Sequence, residues 1–204
     1  MTKQIVLVFF VITLFVSNLA HAGDIYALRK NAHGVGQFGE VLKDALYRGG
    51  QIQSGEAAAQ SPLTDSQLTK LCDQNFGEAV YLYNTGFRGP VSKTCSQGSI
   101  NYSSISWAGN THAIMEKIYQ SITATHKPVF IHCWWGIHAT GSVAATALMQ
   151  FCHATPDQAV EYWKVGIAPV LQYPKVMDQI RAYRSDPSLE LSATDRARVC
   201  PQMR

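Results

Sequence analysis

The chain has 204 residues and a formal net charge of +3, from 17 Lys and Arg against 14 Asp and Glu. With 47% hydrophobic and 15% charged residues it has a globular composition, which excludes a disordered or fibrous chain. So small a charge, with no Lys or Arg run, excludes an electrostatic footprint for nucleic acid.

The N-terminus reads as a targeting segment. Lys3 precedes the apolar stretch "IVLVFFVITLFV", and "AHA" (Ala20 to Ala22) is a small-x-small cleavage site. A spanning helix needs about 20 apolar residues, and this stretch is shorter. Cleavage after Ala22 is therefore expected, with residues 1–22 as a signal peptide and no stable membrane span in what remains. The mature chain of 182 residues suits one domain, exported to a periplasm or secreted. All five cysteines, Cys72, Cys95, Cys133, Cys152 and Cys200, fall in the exported part, where disulfides persist. An odd number leaves at least one thiol outside intramolecular pairs. If that is Cys133, the other four allow three pairings; Cys152, on the apolar face of "VAATALMQFC", also suits a buried free thiol.

In chain order, "IYALRKNAHGVGQFGEVL" reads as an irregular lead-in, its glycines discouraging a helix. "LYRGGQ" is a short strand into a turn. "SPLTDSQLTKLCDQN" is a helix with Thr64 or Asp65 as cap and Leu63, Leu68 and Leu71 at helical spacings. "EAVYLYN" is a strand closed by "TGFRGP". The segment from Val91 to Ser106 is polar, with "INYSSIS" as an edge strand. "NTHAIMEKIYQSITATH" is an amphipathic helix, with Ile114, Ile118 and Ile122 four residues apart. "PVFIHC" is a continuous apolar strand, as in the middle of a sheet covered on both faces. "TGSVAATALMQFC" is a largely buried helix. "TPDQAVEYW" starts at a Thr155 cap with Pro156 in the first turn, and "YPKVMDQIRAYR" is a last amphipathic helix. Beyond Ser185 the chain is a polar, loosely attached tail. The expected fold class is α/β: a single domain with a short, mostly parallel central sheet flanked by helices.

The loop "HCWWGIHATG" carries the chemistry. A strand feeding a short loop that opens a helix turns backbone N–H groups inward, and the helix N-terminus adds partial positive charge. The result is an anion cradle that also favours a thiolate. Gly136 can take a positive φ, Gly141 lets the helix start close to its neighbours, and Thr140 brings a hydroxyl to the base of the loop.

This loop resembles the signature of the cysteine-dependent protein phosphatases, in particular the dual-specificity and tyrosine phosphatase-like branch: His-Cys, two residues, Gly, two residues, Arg, Ser or Thr, Gly. His132, Cys133, Gly136, Thr140 and Gly141 match in register. "ALYRGGQIQS" resembles the "LYRSGQP" entry of bacterial members, and the likeness runs from about Phe38 to Tyr183. The resemblance implies a (phosphotyrosine protein phosphatase)-like domain over 23–185, with 186–204 as the tail. It implies that Cys133 attacks phosphorus, that Thr140 helps the thiolate leave, and that His132 organises the loop. It further implies a substrate-binding set made of His132 and of the backbone from Trp134 and Trp135 through Gly136, Ile137 and Ala139 to Gly141, which binds the phosphoryl group. Neither cofactor nor metal is implied; the expected partner is a phosphorylated substrate or another anionic ligand. Trp134 and Trp135 offer an aromatic wall for a ring-bearing or lipid-like group, or pack on neighbouring loops.

Two departures stand against turnover. The signature arginine, a bidentate fork on phosphoryl oxygens, falls at Ala139. Loss of one transition-state donor costs about 2.7–4 kcal/mol. The general acid, an aspartate before the helix that precedes the central strand, falls in "INYSSISWAGNTH", which has no Asp or Glu. General acid help is worth about 10²–10⁴ in rate. His138, beside Ala139, is the candidate replacement donor and so joins the catalytic set; His112 lies in the region where the acid is missing, and Arg88 is a candidate for charge from a nearby loop. Arg48 of "LYRGGQ" matches the family's pattern and reads as structural. Three readings follow. One is a phosphomonoester hydrolase working through a Cys133 phosphocysteine. Another is a catalytically impaired pseudophosphatase that binds a phosphate-bearing or other anionic ligand. The last is a sulfurtransferase-like or redox thiol protein.

Overall fold

The computed structural model describes residues 35–51, 61–165, 167 and 171–203. The expected signal peptide, residues 1–22, lies outside the described residues. Six strands form one mixed sheet in the order β1-β2-β6-β3-β5-β4. They are β1 (Gly36–Leu42), β2 (Leu46–Gly50), β3 (Glu78–Tyr81), β4 (Val91–Cys95), β5 (Gly98–Ser104) and β6 (Val129–Cys133). The four inner strands β2, β6, β3 and β5 are mutually parallel, and an antiparallel strand closes each edge. The fold is thus the expected α/β class, with a parallel centre.

All five residues of β6 are buried, as its unbroken apolar run requires of a central strand. Alternation then splits its side chains between two cores. Val129, Ile131 and Cys133 join the larger core with Ala139, Val143 and Leu148. Phe130 joins the smaller, aromatic core beneath α1 (Asp65–Asp73) with Phe38, Phe76 and Tyr81. The larger core is covered by α2 (Thr111–Gln120), α3 (His138–Cys152), α4 (Pro156–Lys164), α5 (Pro174–Ala182) and α6 (Ala193–Val199). Thr64 caps α1 and Thr155 caps α4, each in a reciprocal capping box with the glutamine three residues on.

Four sequence expectations need correction. The glycine-rich lead-in is strand β1 from Gly36 onward, because its glycines fall at irregular register on an edge, where a bulged strand tolerates them. Phe38 of that strand stacks on Tyr47 and Phe130, with ring centroids at 5.5 and 5.9 Å. "INYSSIS" lies in β5, one strand in from the edge; the edge is β4, which the polar composition of the segment concealed. Residues beyond Ser185 are not a loose tail. They carry a single 3-10 turn (Pro187–Leu189) and α6, and bury Leu189, Leu191 and Val199. Cys152 is not a free thiol: it bonds Cys200 and fastens α6 to α3. The second disulfide, Cys72–Cys95, ties α1 to the end of β4. No helix among the described residues is long and apolar enough to cross a membrane.

Candidate functional site

Parallel α/β sheets present their binding crevices at the carboxyl ends of the strands. Here β2 ends at Gly50, β6 at Cys133 and β3 at Tyr81, side by side, and the loop 134–137 rises between them into α3. The loop lies almost against β2. A Cβ on Gly136 would sit 2.5 Å from Gly49 C and Gly50 N, and one on Gly50 would sit 2.5 Å from Trp135 C. Gly136 also has φ +70°, so glycine is required there by both space and conformation.

Cys133 stands at the floor of this loop, 4% exposed. It is the free cysteine of the described residues, the other four being in disulfides. His132 points to the opposite face of the sheet and is fully buried. Its Nδ1 lies 3.2 Å from the Cys133 carbonyl and its Nε2 2.8 Å from the Tyr102 hydroxyl. A carbonyl only accepts, so Nδ1 carries the proton and Nε2 accepts from Tyr102. Tyr102 in turn accepts from Leu63 N at 2.9 Å. Burial pushes the His132 pKa down to about 3, only partly offset by the bond to the Cys133 carbonyl. His132 is therefore a neutral, structural link between loop and sheet. It has no surface to offer a ligand, which corrects its place in the expected substrate-binding set.

Above Cys133 opens a pocket of about 510 Å³ lined by Tyr83, Trp134, Trp135, Ile137, His138, Leu171 and Tyr173. One aromatic pair forms its side nearest the sheet: beyond the strand ends, Tyr83 stacks on Trp134 at 4.5 Å. Beneath that pair and outside the pocket, Tyr81 stacks on the buried His132 at 4.9 Å. Trp134 Nε1 donates to the Tyr81 hydroxyl at 2.6 Å, so this tryptophan both packs and forms a wall. Trp135 and Tyr173 are each 47% exposed at the rim. Burial, with the neighbouring Cys133 and Tyr81 adding to it, raises the Tyr83 pKa to about 12, so its hydroxyl stays protonated.

The remaining expected site residues separate into those at the pocket and those beneath it. His138 lines the pocket, but its Nε2 lies 3.1 Å from the Leu171 carbonyl and so donates to it. That nitrogen is thus engaged with a backbone carbonyl, and the ring packs against Tyr173 at 4.8 Å, joining residues 171–173 to the site. Thr140 is fully buried and donates to the Gly49 carbonyl at 3.4 Å, a contact with β2. Ala139 is fully buried in the larger core. Its side chain has no surface toward a ligand, and only its backbone N–H is left for that role. Gly141 acts from below: a Cβ there would meet Arg48 Nη2 at 2.9 Å and Trp163 Cδ1 at 3.0 Å. His112 pairs with Asp186 at 2.9 Å and Glu116 at 3.3 Å, away from the pocket lining. Arg88 is exposed and does not line the pocket either. Arg48 is buried under the loop, with Nη2 2.7 Å from the Gly136 carbonyl.

Sequence reasoning missed Tyr83, Leu171 and Tyr173. Tyr83 was legible in principle, since it alternates with Tyr81 off the end of a strand. Leu171 and Tyr173 reach the site from beyond α4, and no local signal marks them.

The first intrahelical bond of α3 runs from Gly141 N to the Ile137 carbonyl at 2.8 Å. The amides of His138, Ala139 and Thr140 precede it, so they have no partner within the helix and carry its positive end. Chemically, the site combines amide donors, a free thiol and a largely aromatic wall. Among the described lining residues there is no Lys, Arg, Asp or Glu.

No protein-family model matches the chain, and no curated protein matches it. Among solved structures, the PTP-2 phosphatase of Cydia pomonella is similar at 15% identity and TM-score 0.46, over 70% of this chain and 86% of its own. The core catalytic domain of the PP-IP phosphatase SIW14 of S. cerevisiae, solved with citrate, is similar at 14% identity and TM-score 0.47, over 79% of this chain and 91% of its own. At these values the overlap is loose, and the functional reading stands on the residues themselves.

Proposed function

We propose that this is an exported, phosphatase-like binding domain. It holds a phosphate-bearing ligand with an aromatic or apolar organic part, and does so without the turnover of a phosphatase. The phosphate rests on the amides at the start of α3, and the organic part against Trp134, Tyr83 and Tyr173. Helix N-termini and glycine loops suit such anions without a charged side chain. The observation that carries this reading is at Ala139: where the resembling signature has a cation, this chain buries a methyl group in the core. The two disulfides suit an exported protein.

A second reading is favoured by Cys133 remaining a free thiol at the pocket floor. Its Sγ would attack phosphorus, forming an S–P bond as the P–O bond breaks, and water would then release phosphate from the phosphocysteine. The departing alkoxide needs a proton, and no carboxyl among the described lining residues supplies one. Hydrolysis by this route is therefore slow.

The test is a tryptophan-fluorescence titration of the mature protein with phenyl phosphate, inorganic phosphate and phenol. Phenyl phosphate should bind tightest. Equal affinity for phenol would remove the anion from the reading, and equal affinity for inorganic phosphate would remove the aromatic part.

A further inference from the structure

Arg48 is an interior cation. It sits on β2, 1% exposed, directly beneath the loop 134–137. Its Nη2 donates to the Gly136 carbonyl at 2.7 Å and lies 3.4 Å from the Ile137 carbonyl. Its Nη1 donates to the Tyr162 hydroxyl at 3.3 Å, and its guanidinium carbon lies 5.5 Å from the centre of that ring. Nε is buried with no hydrogen-bond partner among the described residues, and the guanidinium bonds a hydroxyl and two carbonyls rather than a carboxylate. A guanidinium is a permanent cation. One held inside a protein without a carboxylate is costly, unless an anion is to be found close by.

The two carbonyl contacts have a geometric consequence. A trans peptide is planar, so its N–H points away from its C=O. Arg48 draws the Gly136 and Ile137 carbonyls down toward β2. The N–H groups of those same peptides, which belong to Ile137 and His138, are thereby turned to the other side. Ile137 and His138 line the pocket. The Ile137 carbonyl is fixed a second time by Gly141 N at 2.8 Å. Gly141 makes this possible, since a side chain there would meet the Nη2 that does the pulling.

We propose that Arg48 is the positioning residue of the anion site. It aims the Ile137 and His138 amides at the ligand and supplies, from beneath the loop, the positive charge missing at Ala139. The inference rests on the anion-binding reading above and adds the group that organises it. Arg48 touches neither ligand nor Cys133 in this role, and acts through the loop backbone.

The test pairs two variants with a measurement on the unaltered protein. Arg48→Lys keeps a charge but loses the fork on two carbonyls, and Arg48→Met loses both. In either, phenyl phosphate should bind on the order of tenfold more weakly, while phenol affinity is unchanged. An unchanged ratio of the two affinities in a folded variant overturns the inference, because a merely structural residue would move both or neither. Should neither variant fold, amide NMR of the wild-type chain titrated with inorganic phosphate decides. Saturable downfield shifts at Ile137 and His138 support the proposal. Saturable shifts confined to other amides overturn it and leave the binding function standing. No saturable shift anywhere overturns the binding function, and this inference with it.

Discussion

The Tyr102 hydroxyl and His132 Nε2 lie 2.8 Å apart in the interior, across β3, which separates their strands in the sheet. This bond, with the one from His132 Nδ1 to the Cys133 carbonyl, fixes the ring as a neutral imidazole. The unfolded ring takes a proton near pH 6.5, the folded one only near 3. Acid therefore favours the unfolded chain between those values. The stability contributed by the neutral ring is whole above pH 6.5 and is lost as pH falls toward 3, by at most about 1.4 kcal/mol per pH unit. Melting curves of wild type and His132→Gln at about pH 7 and about pH 4.5 check this. The difference in Tm should shrink in acid, and a constant difference contradicts the assignment.

Gly136→Ala should be among the most disruptive single changes in the chain. It forces a Cβ to within 2.5 Å of the β2 backbone at φ +70°. Neither neighbour is a flexible side chain that can give way. We expect a loss of more than about 2 kcal/mol by denaturant titration, together with loss of ligand binding.

The Cys152–Cys200 disulfide spans 48 residues. By loop-closure entropy its removal in a Cys152→Ser, Cys200→Ser double variant costs about 4 kcal/mol. The C-terminal segment keeps other anchors, including Lys43 N to the Val199 carbonyl at 2.8 Å and Arg198 Nη2 to the Ile122 carbonyl at 2.8 Å. The variant should therefore melt earlier while retaining α6. Early cleavage by protease beyond residue 185 in the folded state would show instead that the disulfide alone holds this segment.

Ala139→Arg restores the residue type of the resembling signature, but at a position that is fully buried here. An unpaired guanidinium in the larger core destabilises by roughly 3–5 kcal/mol. The expected result is a lower Tm and no phosphatase activity. An unchanged Tm with tighter phosphate binding would mean that the side chain reaches the pocket.

Much of this was legible in the sequence. The buried run "VFIHC" marked the central strand, and Thr155, with Thr64 or Asp65, marked two helix starts, because both depend on local chemistry. The glycine-rich β1 and polar β4 were hidden, since edge strands need neither continuous apolar runs nor high propensity. The loop itself was legible down to its required glycine. What His138, Thr140 and Ala139 do was not, because their roles depend on the partners brought by β2 and by residues 171–173. The buried link from Leu63 through Tyr102 to His132 joins three elements far apart in sequence, and no spacing rule announces it.

The most direct measurement mixes excess mature protein with 4-nitrophenyl phosphate and follows chromophore release and ligand binding in one sample. We predict saturable binding with release at the rate of the protein-free blank, in wild type and Cys133→Ser alike. A rapid release of chromophore that Cys133→Ser abolishes would contradict the binding function and establish Cys133 as a working nucleophile.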